Sequence, residues 1–182
     1  MAYRNGIYVA FNGCGTTNPT DSDIKYFNIL KAWKENKKID FSFVDSHQKT
    51  YKVLDSSTRK TLLSRLNERM ANSKLMFLIV TDNTSNCSDV VEHEIKRAVE
   101  VDKIPIVIAY VDKEIIKKTS PQMRNKLPKI LNKYIDNNEC KILFIPFKRE
   151  AIASAFKTFD VHKTKDKDNS IYVYQNVEKW KD

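Results

Sequence analysis

One carboxylate in this sequence stands where simple patterning does not account for it. In the stretch Cys87-Ser88-Asp89-Val90-Val91-Glu92-His93-Glu94-Ile95, Asp89 and Glu92 have the spacing of a helix cap and its reciprocal partner. Glu94 has no such duty. It falls three residues after Val91 and one turn from both Val90 and Ala98, at the margin of an apolar helical stripe. Partial burial there would raise its pKa, as in carboxyl groups that work at functional sites. The plain alternative is a solvated acid that pairs with Arg97, three positions on.

Two further clusters could join it. Asn12-Gly13-Cys14-Gly15-Thr16-Thr17-Asn18 is small and polar and holds two of the three glycines, so its backbone amides could approach a phosphate or ribose closely. It lacks the Gly-Lys-Ser/Thr of a P-loop and the third glycine of a dinucleotide fingerprint, and a tight turn is its other reading. Asp45-Ser46-His47 puts a carboxylate two residues from an imidazole. Asp45 could accept ribose hydroxyls or orient His47, or it could cap a turn beside a surface histidine. His47, His93 and His162 do not combine with Cys14, Cys87 or Cys140 at metal-ligand spacing, so no metal site is expected.

These residues need a frame, and the hydrophobic pattern supplies one. Five short β-rich runs, Ile7–Phe11, Phe41–Val44, Leu75–Val80, Ile104–Tyr110 and Ile142–Ile145, alternate with stretches long enough for one helix each. Helices are predicted at about 21–35, 57–71, 89–101, 121–134 and 149–159, the fourth interrupted by Pro128. The order is (βα)5. Right-handed crossovers then predict an open, five-stranded parallel sheet with helices on both faces, most simply the flavodoxin-like order 2-1-3-4-5. In such sheets ligands bind beyond the carboxyl ends of the strands, where the loops after the first and second runs carry Asn12, Gly13, Asp45 and His47. Past Asp160 a charged segment leads to Ile171–Tyr174, which could add an edge strand or pack as a tail.

Composition limits the functions open to this frame. A chain of 182 residues with 41% hydrophobic and 30% charged residues is expected to form one globular domain. Its longest apolar runs fall far short of the ~20 residues of a membrane span. No signal-like segment is visible at the start and the three cysteines are widely spaced, so a cytoplasmic, reduced protein is expected. The net charge of +9 divides into +3 over residues 1–111 and +6 over 112–182, where lysines alternate with acids as in Lys163, Lys165, Asp166, Lys167 and Asp168. That is a solvated face rather than an arginine-rich stripe with interleaved aromatics, which argues against nucleic acid as a partner.

Several stretches in order resemble the bacterial TIR-like domain family, the group to which the TIR-like component of the Thoeris anti-phage system belongs. They are Tyr8-Val9-Ala10-Phe11-Asn12-Gly13, Ala32-Trp33-Lys34, Asp40-Phe41-Ser42-Phe43-Val44-Asp45-Ser46-His47, Ser73-Lys74-Leu75 and Asp89 to Ala98. The resemblance implies a TIR-like domain over residues 1–160, with 161–182 as an extension that packs on it or continues it. It implies a glutamate in the helix after the third strand that cleaves the nicotinamide–ribose bond of NAD, and aligns that residue with Glu94. NAD is then a substrate rather than a cofactor, with Asn12, Gly13, Asp45 and His47 as the nucleotide-binding candidates. Val90 stands near the position where many TIR enzymes carry a tryptophan. Related enzymes commonly complete their site by self-association, so a second copy or an effector protein is an expected partner. Many relatives act without catalysis, which makes a signal-transduction or protein-interaction module the alternative function.

Overall fold

The computed structural model describes residues 4–14, 16, 18, 22–38, 40–41, 43–44, 58–86, 89–176 and 179–181. Its strands are the uninterrupted apolar runs: β1 (Gly6–Ala10), β2 (Ser73–Val80), β3 (Ile106–Tyr110), β4 (Ile142–Pro146) and β5 (Ile171–Asn176), with a short β6 (Lys179–Lys181). Strands β1 to β5 are all parallel, and β6 closes the sheet antiparallel to β5. Each of β1 to β4 is buried along nearly its whole length, as expected of strands covered on both faces. One row of partners, Tyr8, Met76, Ile106, Ile142 and Ile171, crosses the sheet and fixes its register.

The order is β1-β2-β3-β4-β5-β6, not the expected 2-1-3-4-5. The difference lies in Phe41–Val44, whose described residues, Phe41, Phe43 and Val44, are not in a strand. Among the described residues this segment makes one ladder-like bond, Ile7 N–H to the Val44 carbonyl at 2.7 Å. Its burial comes from Phe41 and Phe43, whose rings meet Trp33 and Phe156. Alternating aromatics give it the look of a strand; among the described residues those side chains anchor it beside that one bond to β1. The fifth parallel strand is instead Ile171–Asn176, beside β4.

Among the described residues six α-helices cover the sheet: α1 (Ile24–Glu35), α2 (Arg59–Ala71), α3 (Asp89–Lys96), α4 (Pro121–Asn125), α5 (Lys129–Asp136) and α6 (Arg149–Thr158). Helices α2 to α5 pack on one face with Tyr8, Met76, Leu78, Ile108 and Phe144; α1 and α6 pack on the other with Val9, Phe77, Val107 and Leu143. The single helix expected over 121–134 is two, because Pro128 has no N–H to continue the first and instead begins the second. Ser120 caps α4 by accepting from Met123 N–H, and Pro121 occupies the first turn, where its missing donor costs nothing. Helix α3 runs into a π-helical turn over Arg97–Val101, closed by Asp102 N–H on the Arg97 carbonyl at 2.9 Å. No helix among the described residues is long and apolar enough to cross a membrane.

Candidate functional site

Glu94 lies inside the protein. On α3 the residues Val91 and Ile95, followed in the π-turn by Ala98, face the sheet and are buried. Glu94 shares their side of the helix and is 7% exposed. Tyr8 reaches it from the middle of β1, its phenol donating to Glu94 Oε1 at 2.6 Å. Burial pushes the Glu94 carboxyl up to about 7, against the opposing pull of the Tyr8 hydrogen bond and of the Arg69 guanidinium on α2. Tyr8 is pushed well above the usual phenol range, chiefly by burial and then by the neighbouring carboxylate. A carboxyl poised near neutrality and gripped by a rigid strand can hold a proton, accept from a hydroxyl or oppose a nearby positive charge.

Arg97, the expected surface partner of Glu94, is engaged elsewhere. It pairs with Asp102 at 2.9 Å, and Arg4 donates to the Asp102 carbonyl at 2.6 Å. That cluster pins the end of the π-turn. Asp89 is the first residue of α3, with Glu92 in the same first turn. His93, next to Glu94, has its Nε2 2.9 Å from Asn67 Oδ1 and ties α3 to α2. Among the described residues no group of three His, Cys, Asp or Glu side chains converges as metal ligands would.

Asn12 sits beyond the carboxyl end of β1 and is 5% exposed. Its side chain closes an Asx turn, Oδ1 accepting from Cys14 N–H at 3.0 Å, while Nδ2 donates to the Asn83 carbonyl at 2.9 Å. Cys14 has the left-handed φ of 51°, which this turn holds in place. The Asn12 carbonyl accepts from Asp23 N–H, and the Asp23 carboxylate accepts from Thr81 Oγ1 at 2.9 Å. Asp23 is at the N-cap of α1 yet makes no side-chain cap bond there. Burial raises its pKa, with the Thr81 bond opposing. The loops after β1 and β2 are thereby fastened to each other and to the start of α1. At Gly13 an added Cβ would meet no atom of the described residues within 4 Å, so among them the space above this turn is open.

Glu94 and Asn12 are thus separate polar centres along β1. Their anchor points, Tyr8 and Asn12, are four residues apart, about 13 Å in extended chain. Asp45 and His47 lie outside the described residues. Tyr8, Asp23 and Thr81 were not singled out from the sequence. Tyr8 had a signal, as the one polar-tipped side chain in Ile7–Ala10; Asp23 fell inside the helix expected over 21–35.

A parallel α/β sheet with helices on both faces, a buried near-neutral carboxyl under its first strand and tied polar loops at its strand ends defines a class of small open-sheet α/β domain. A family profile described as "Thoeris protein ThsB, TIR-like domain" matches residues 8–116, which include Tyr8, Asn12, Asp23, Thr81 and Glu94. The chain belongs to that family, and so stands with the TIR-like proteins of Thoeris defence signalling.

Proposed function

We propose that this protein breaks the nicotinamide–ribose bond of NAD, releasing nicotinamide together with ADP-ribose or a cyclic ADP-ribose signal in anti-phage defence. The observation that carries this reading is the Glu94 carboxyl, buried, held by Tyr8 and raised to about 7. Nicotinamide leaves as a neutral pyridine, taking the electron pair of the C–N bond, so departure needs little help from a general acid. The cost lies in the oxocarbenium-like ribose left behind. A carboxylate that holds the ribose hydroxyls more tightly as positive charge grows lowers that barrier. Water, or an adenine nitrogen in the cyclising case, then adds at the ribose carbon.

In this reading NAD is substrate, not cofactor. Asn12 and Gly13, with Asp45 and His47, bind the nucleotide from the strand-end loops, and the open space over Gly13 supports such a place. Residues 1–160 form the TIR-like domain and 161–182 extend it, as the pairing of β5 with β4 supports. The protein works in the cytoplasm. It self-associates or meets an effector through α3 and the loops at 83–88 and 112–120, so activity should climb more steeply than linearly with protein concentration.

The test is chromatography of NAD incubated with purified protein, alone and with lysate of phage-infected cells. Nicotinamide should appear and should vanish with Glu94→Gln. Absence of NAD loss and of any ADP-ribose product at every protein concentration would overturn catalysis. The second reading, a non-catalytic signalling module, is favoured by the 7% exposure of Glu94 and by the commitment of the Asn12 amide to Asn83. A folded Glu94→Gln protein that still signals would support it.

A further inference from the structure

We propose that Tyr8 is a positioning residue for Glu94, holding Oε1 so that the second carboxylate oxygen is the one that meets the ribose. This deepens the NAD reading and rests on it for the identity of the ligand. The geometry is specific. Tyr8 stands at the centre of β1, paired in register with Met76 of β2 and fully buried, so its phenol cannot swing away without disturbing the sheet. Its donor atom is 2.6 Å from Glu94 Oε1 across 86 residues of sequence, short enough for a hydrogen bond to an ionised acceptor. A glutamate has three side-chain torsions to order, and a single strong donor on a rigid strand removes most of that freedom before any ligand arrives.

Among the described residues the interactions around Glu94 are of other kinds. From α2, Arg69 acts on Glu94 through its charge. His93, the neighbour on α3, is engaged with Asn67 of α2. From α5, the other helix against α3, Tyr134 donates to Glu100 in the π-turn. Phenylalanine at position 8 would keep the packing and leave the carboxyl without this donor.

The test titrates Glu94 directly, by carbon NMR of full-length protein labelled at glutamate side chains, with Glu94→Gln to assign the signal. Tyr8→Phe should move the Glu94 midpoint up by about 1 pKa unit, since a bond that favours the carboxylate is lost. Replacing Tyr8 with 3-fluorotyrosine, a more acidic donor of nearly the same shape, should move it down. A packing role alone would move neither, and the fluorinated protein keeps the test open if Tyr8→Phe folds poorly. Midpoints unchanged in both overturn the proposal. Where NAD turnover is measured, Tyr8→Phe should lower kcat about tenfold with KM little changed, and shift the rising limb of the pH profile alkaline. Shifted midpoints in a protein that never cleaves NAD would sink the NAD reading and leave the positioning of Glu94 standing. Turnover with unmoved midpoints would do the reverse.

Discussion

The two faces of this sheet are built from different materials. Under α1 and α6 the core is aromatic: Phe156 lies 5.1 Å from Phe77, 5.6 Å from Phe43 and 6.1 Å from Phe41 between ring centroids, and Trp33 meets Phe41 edge-on. Under α2 to α5 it is mostly aliphatic and carries the buried Tyr8–Glu94 pair. One strand, β1, serves both, turning Ile7 and Val9 to the aromatic side and Tyr8 to the other. The aromatic face is built chiefly from packed rings and aliphatic side chains. The other face gives up some packing energy to keep an acid away from water, a cost that a purely structural layer has no reason to carry.

Truncation on the aromatic face should therefore have the largest effect on stability. Phe156→Ala removes a side chain that is 4% exposed and contacts three other rings, and should cost about 3–5 kcal/mol in denaturant unfolding. A loss under about 1 kcal/mol would mean that the ring cluster is not what holds α6 to the sheet, and the contrast between faces would fail.

On the opposite face a substitution should stabilise, and by an amount that grows with pH. Glu94 has a folded pKa of about 7 against an ordinary 4.5. Its contribution to stability is whole below the ordinary value and is lost as pH rises through 7, because ionisation is easier in the unfolded chain. Glu94→Gln keeps the volume and an acceptor for Tyr8 but cannot ionise. The variant should match the native protein near pH 4 and exceed it at pH 8, by on the order of 3 kcal/mol at 1.36 kcal/mol per pKa unit. Parallel stability curves for the two proteins across that range would show that Glu94 is not the buried, raised acid described.

The contrast also explains what could be read from sequence. Runs such as Leu75–Val80 and Ile142–Ile145 announce strands because nothing polar interrupts them, and α3 was legible from Val91, Ile95 and Ala98. Phe41–Val44 misled because alternating aromatics look alike whether they sit in a ladder or plug a core. Glu94 could be placed at the edge of a stripe, but burial and solvation were both open, since its partner Tyr8 is 86 residues away and pairs only once β1 and α3 are assembled. The π-turn is of the same kind, set by Arg97, Asp102 and Arg4 meeting in space.

The strand-end loops belong to neither face and should respond more mildly. Asn12→Ala removes the bond to Asn83 and the acceptor for Cys14 N–H, leaving two part-buried backbone groups short of these partners. A cost of about 1–3 kcal/mol is expected in the same unfolding assay, intermediate between the core and the surface. A neutral result would mean that water replaces both bonds and that the turn is not held by its asparagine.

The smallest effect on folding should come from the neighbouring position, and there it is most informative. Gly13 has no backbone need for glycine: its φ is not left-handed and a Cβ would meet none of the described residues. Gly13→Ala should change stability by no more than about 0.5 kcal/mol, with a slight gain from restricting the unfolded chain. If a nucleotide approaches this turn closely, the added methyl group occupies space that the ligand needs. NAD turnover or NAD-dependent thermal stabilisation should then fall while the apo melting temperature stays level. If both are unchanged, the glycine faces solvent in the bound state as well, and the nucleotide seat must be sought away from the Asn12–Gly13 turn. A change in folding without one in binding would instead contradict the open space itself.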